Sequence, residues 1–177
     1  MAEYTCFESQ NMLSTHYAKR IFDAVCETPV ENGTFGYLDG VDTEGGVIYK
    51  FVAGTKEGHE VVVVDQPAWT EDTSRMTNQR KDKFRVEANT PFRCRVVAKD
   101  DEMGLSVPGF TGTPEIDKYV TIDTNGKLKV EAGAAAEDAV MVGKIMRKRQ
   151  IGSTLVTPLR DYGYTRMMYT VKVESLA

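Results

Sequence analysis

The sequence predicts a mainly β protein: a single-domain antiparallel β-barrel or β-sandwich of about ten short strands, preceded by an extended amino-terminal arm. Three observations carry this expectation. Nearly every readable segment alternates apolar and polar residues with a period of two, no segment carries the apolar stripe of a long amphipathic helix, and turn residues punctuate the chain at short intervals. A chain of 177 residues can bury a core of its own without staples, so residues 17–177 are read as one β domain and residues 1–16 as the arm.

The arm shows little period and scatters Tyr4, Phe7, Met12 and Leu13 among polar residues. Asn32-Gly33 is a turn pair between Ala24-Val25 and Phe35 to Tyr37, and Pro29 ends the earlier strand because it has no N–H for the ladder. Val47 to Val52, Val61 to Val64 and Phe92 to Val97 are β-branched or aromatic runs bounded by Gly, Asp and Pro, the punctuation of buried strands. Pro67 to Asp82 is polar, charged and aperiodic; a loop of that length in a compact domain is usually functional or mobile, and it carries the single tryptophan, Trp69.

Tyr119 to Val130 allows its register to be argued. A two-residue turn at Asn125-Gly126 would pair Ile122 with Lys129 and mix the two faces. A three-residue loop, Thr124-Asn125-Gly126 with Gly126 in the left-handed region, pairs Ile122 with Leu128 and Val120 with Val130. Ala132 to Asp138 reads as an Ala/Gly-rich loop. At the carboxy-terminal end Met167, Tyr169, Val171 and Val173 alternate with Arg166, Met168, Thr170 and Lys172, which places the first set on the core.

The formal net charge of −4, with both signs mixed along the chain, speaks against a broad phosphate-binding face and directs attention to a protein or small-molecule partner. Cys6, Cys26 and Cys94 are odd in number and form no CxxC pair, so free buried thiols in a reducing compartment are expected. No stretch has the length of a signal-peptide core or a membrane span, so no membrane partner is expected and synthesis is expected in the cytoplasm.

Catalytic chemistry finds little to work with. The only histidines, His16 and His59, lie in the arm and beside a glycine turn, read as solvent-facing and without ligands at metal spacing. Asp100, Asp101 and Glu102 form an acidic triplet without the glycine-spaced loop of a calcium site. Ser106 and Ser153 lack a GxSxG elbow, and GxxxxGK[ST] and GxGxxG do not occur. No enzyme, metal site or cofactor is therefore expected. The basic run Lys144, Arg147, Lys148 and Arg149 reads either as a charged strand end or as a patch that meets an acidic protein surface.

In their order, these features resemble a family of small virion structural proteins of tailed bacteriophages, encoded near the major capsid protein. The similarity runs from about His16 onward, through Glu31-Asn32-Gly33 and Phe35-Gly36-Tyr37-Leu38, the run Val61 to Val64, and Phe84 to Asn89 leading to Pro91-Phe92-Arg93. It continues through Asp100 to Val107, Lys118-Tyr119-Val120 and Val142-Gly143-Lys144-Ile145 before a terminal strand. The long Pro67 to Asp82 loop and the basic run depart from the family pattern.

The resemblance implies a capsid decoration protein located on the virion surface, whose partners are the major capsid protein and a second copy of itself, with no catalytic residues. Tyr4, Phe7, Met12 and Leu13 of the arm, Trp69, and Arg147, Lys148 and Arg149 are the segments that the core pattern leaves unused, and they are the candidate capsid contacts. An arm outside the core also predicts that deletion up to Leu13 leaves the melting temperature unchanged. Two other classes are carried alongside: a small β-barrel binding a flavin-type cofactor, and a single-stranded nucleic-acid-binding barrel that would use Tyr162, Tyr164, Arg166 and Met168.

Overall fold

The fold was obtained as a computed structural model and describes residues 3–42, 47–68, 81–133, 138–152 and 165–177. It is mainly β, with twelve strands among the described residues: β1 Phe7–Asn11, β2 Ile21–Val25, β3 Phe35–Val41, β4 Tyr49–Ala53, β5 Val62–Val64, β6 Phe92–Val96, β7 Glu102–Ser106, β8 Phe110–Thr111, β9 Tyr119–Ile122, β10 Leu128–Val130, β11 Met141–Gly152 and β12 Thr165–Leu176. Among the described residues one short α-helix, α1, spans Leu13–His16.

Both a barrel and an open sheet are present. Strands β2-β4-β3-β5-β6 close into a barrel, and β1-β7-β12-β11-β9-β10-β8 form a seven-stranded sheet. The expectation of a wholly antiparallel form is corrected at β2–β4 and β8–β10, which pair in parallel. In the barrel this follows from counting: strand direction cannot alternate around a closed ring of five, so one neighbouring pair must run the same way.

Two apolar clusters follow from this arrangement. Ala24, Phe51, Val62, Val64, Phe92, Cys94 and Val96 fill the barrel. Phe35, Val61, Val63 and Val97 point outward from the barrel and meet Met103, Leu105, Val120, Leu128, Ile145, Val171 and Val173 of the sheet. Successive side chains of a strand face opposite ways, so the unbroken valine run Val61 to Val64 serves both clusters and needs no polar alternate. Gly36 has no side chain because the Phe51 ring lies where its Cβ would stand, 2.5 Å from the nearest ring atom.

Local expectations fare well where strand and turn signals lie close together in sequence. Leu128 pairs with Ile122 and Val130 with Val120, the register of the three-residue loop, and Gly126 has φ +75°. The Asn32-Gly33 turn joins β2 to β3, with the Thr34 N–H donating to the Glu31 carbonyl. The Asn32 side chain bonds both the N–H and the carbonyl of Gln66, each at 2.8 Å, which fastens the turn to the segment after β5.

The amino-terminal arm is a correction. Residues Phe7–Asn11 add an edge strand to the sheet, with Phe7 opposite Leu105 and Glu8 opposite Gly104, and Phe7 and Met12 are 5% and 0% exposed. The pattern hid this because the ladder shifts register between Glu8 and Asn11, so the only apolar residue of β1 is its first. Deletion up to Leu13 is now expected to lower the melting temperature by many degrees. Burial of a Phe or Met side chain is worth about 1.5–3 kcal/mol, and the variant loses one of each.

Asp101 ties this segment down. The carboxylate is 3% exposed; Oδ1 accepts the Leu13 N–H at 2.7 Å and Oδ2 accepts the Ala98 N–H at 2.8 Å. Burial pushes its pKa up, against the pull of these two amides and of Arg20. A carboxyl with a raised folded pKa makes its most favourable contribution below the usual carboxylate range, and part of that is lost as pH rises through the raised value. Asp101→Asn places an NH2 group against one of two buried N–H donors. The expected cost is about 1–3 kcal/mol by denaturant titration, narrowing as pH rises because only the wild-type protein then buries a charge there.

At β12, Val171 and Val173 are buried and Tyr169 is half-buried on the core face, as the alternation predicts. Met167 and Met168 reverse: Met168 is fully buried and Met167 is 38% exposed. The last β12 residue opposite β7 is Met168, so Met167 lies beyond the region where the sheet is covered.

Candidate docking surface

Strands β11 and β12 are each twelve residues long, but their neighbours are short. The β9 strand pairs only with Val142 to Lys144, backbone bonds from Asp117 and Lys118 extend the contact to Ile145, and β7 stops at Met168. Among the described residues, β11 and β12 continue beyond these points as a two-stranded ribbon. Among the described residues no strand pairs the outer edge of β11 after Ile145, and Met146 to Gln150 are all exposed.

A bulge decides which way the basic side chains point. Ile145 lies opposite Val171 on the core face, and simple alternation would place Arg147 and Arg149 on that face too. The ladder shifts between Ile145 and Arg147, so Met146 is the extra residue, Arg147 lies opposite Thr170 and Arg149 opposite Met168. Both arginines therefore reach the outer face, while Lys148, opposite Tyr169, is carried to the other.

On the outer face the arginines meet acids supplied by β1 and β7. Arg147 Nε donates to Thr170 Oγ1 at 3.2 Å, and its Nη2 lies 3.4 Å from Gln10 Oε1 and 3.8 Å from Glu102 Oε2. Arg149 pairs with Glu8. These are exposed pairs, worth about 0.2–1 kcal/mol each and weakened by salt. Lys148 makes no ion pair among the described residues. Sequence reading missed Glu8, Gln10 and Glu102 as partners of the basic run, and nothing local links positions so far apart in the chain.

The remaining candidate contacts are dispersed. Tyr4 is half-buried with the Arg85 guanidinium 5.6 Å from its ring centroid, and Leu13 is exposed. Phe7 and Met12 are core residues and offer no docking surface. Trp69, Tyr162 and Tyr164 lie outside the described residues. Of the other residues weighed for a nucleic-acid strip, Met168 is buried and Arg166 is held by Glu3 and Asp82.

His16 is exposed, whereas His59 is half-buried against Tyr37, with ring centroids 5.1 Å apart, so the solvent-facing expectation is corrected for His59. Burial pushes the Cys94 thiol up to about 12, which leaves it protonated and unreactive at neutral pH. Among the described residues no three His, Cys, Asp or Glu side chains converge as metal ligands, and no helix is long and apolar enough to cross a membrane. A cleft of about 270 Å³ at one end of the barrel is lined by Cys26, Thr28, Glu31, Phe51, Thr124 and Asn125, and the barrel interior itself is filled by side chains.

No protein-family model, curated protein or solved structure matches this chain.

Proposed function

We propose that this protein works by binding another protein's surface, and that it serves as a capsid decoration protein of the tailed-bacteriophage type, made in the host cytoplasm and located on the virion. The observation that carries the binding role is the ribbon of β11 and β12, whose β11 edge has no strand partner among the described residues after Ile145 and carries a basic run. The phage assignment rests on the sequence resemblance. A closed barrel backed by a seven-stranded sheet suits such a task, since a rigid scaffold loses little ordering entropy on docking.

A protein that binds only the assembled lattice stabilises it by its differential affinity, by about 2.7 kcal/mol per site at a free concentration one hundred times Kd. The test is co-sedimentation with shells assembled from the major capsid protein of the phage that carries this chain, set against unassembled capsid subunits. Binding confined to the shells, with a rise in their melting temperature, is the expected result. Failure to sediment with shells at micromolar concentration overturns the capsid assignment.

A further inference from the structure

We propose that the open edge of β11 from Met146 to Gly152 receives an extended, acidic segment of a partner protein, which adds to the ribbon as a further strand. This deepens the surface-binding role proposed above and does not depend on the phage assignment.

Three features support it. The backbone groups along that edge have no strand partner after Ile145 among the described residues, and an open ladder is a template for strand addition. The edge is also accessible, since five consecutive residues, Met146 to Gln150, are exposed. Finally, charge selects the occupant. The segment Met146 to Gly152 carries three positive charges and no negative one in a chain whose net charge is −4.

The bulge distributes those charges unequally between the two faces. Arg147 and Arg149 have Glu102 and Glu8 beside them on the outer face, whereas Lys148 stands on the opposite face with no counter-charge among the described residues. A second copy is a poor occupant. Antiparallel pairing of two β11 edges about a two-fold axis at Lys148 would bring Lys148 against its own equivalent and Arg147 against Arg149, and like charges on facing strands repel. The same charges attract a strand with a carboxylate opposite Lys148.

The test uses the full chain and two capped nine-residue peptides, one alternating valine with glutamate and the other valine with lysine. Amide hydrogen exchange followed by NMR is expected to show slowed exchange within Met146 to Gly152 on addition of the glutamate peptide only. Lys148→Glu is expected to weaken that peptide by about tenfold while the lysine peptide gains affinity. Its melting temperature stays unchanged, because Lys148 is exposed and makes no ion pair among the described residues.

Protection elsewhere, or none, overturns strand addition at this edge. Equal binding of both peptides overturns the choice of an acidic partner, and a wild-type dimer protected at the same amides replaces that partner with a second copy. The two proposals fail separately: edge binding of the peptide without shell binding removes only the capsid assignment. A Lys148→Glu protein that no longer binds the peptide but still decorates shells removes this edge as the shell contact.

Discussion

Gly126→Ala is expected to lower stability by about 2–4 kcal/mol, read as a fall in denaturant midpoint at unchanged slope. Two effects add. Gly126 has φ +75°, a conformation that costs an L residue about 1–2 kcal/mol. An added Cβ would also stand 2.2 Å from the Phe35 carbonyl oxygen, closer than any non-bonded contact allows.

That carbonyl is not free to retreat. It accepts the Gly54 N–H at 3.1 Å, and the Phe35 N–H donates to the Gly126 carbonyl at 2.8 Å, so the β9–β10 loop is seated on the start of β3. Moving it apart loosens the joint between sheet and barrel. Gly58→Ala separates the two contributions: Gly58 has φ +77° but open space around the missing Cβ, so only the conformational cost of about 1–2 kcal/mol is expected. Equal losses in the two variants would mean that the contact with Phe35 carries no energy.

Arg166→Met is the second large effect, at about 3 kcal/mol. Arg166 Nη2 lies 2.9 Å from Asp82 Oδ2, the Asp82 side chain is 0% exposed, and a second bond runs to Glu3. Removing one member of a buried ion pair leaves an uncompensated charge and costs about 3–5 kcal/mol. The low end applies because Lys83 Nζ, 3.8 Å from the same carboxylate oxygen, remains.

The double variant Asp82→Asn with Arg166→Met is expected to cost less than Arg166→Met alone, because the buried carboxylate charge is then removed together with the guanidinium that faces it. The guanidinium of Arg166 also holds the Glu3 carboxyl below its usual range. Stabilisation from a lowered carboxyl pKa is present above the unfolded value and is lost as pH falls through the lowered one. The wild-type protein should therefore show that acid-side slope and the Arg166→Met variant should lack it. Identical slopes in the two proteins would place the Glu3 contact outside the folding equilibrium.

The candidate docking surface divides along the same line between local and distant information. The basic run was legible as a cluster of charge, but the face it occupies was not. One extra residue at Met146 turns Arg147 and Arg149 toward the acids of β1 and β7 and turns Lys148 away from them. A bulge leaves no mark in a pattern that alternates every two residues, since all three side chains are polar on either assignment. Among the apolar candidates, Phe7 and Met12 lack a period in the sequence and so resemble adhesive arm residues. Their burial depends on β7, nearly one hundred residues away in the chain.

Local pattern alone suffices for the mainly β class, the β9–β10 register with Gly126 in its loop, the turn at Asn32-Gly33 and the buried run at Val61 to Val64. Each is set by side-chain alternation or turn chemistry within a dozen residues, where steric and hydrogen-bonding preferences act directly. Long-range packing settles that both a barrel and a sheet form, that one barrel pair must be parallel, that residues 7–11 close an edge of the sheet, and that among the described residues no strand covers the β11 edge after Ile145. Those outcomes depend on which strands meet across long stretches of chain, and the free energy that selects them comes from surfaces brought together after the local elements exist.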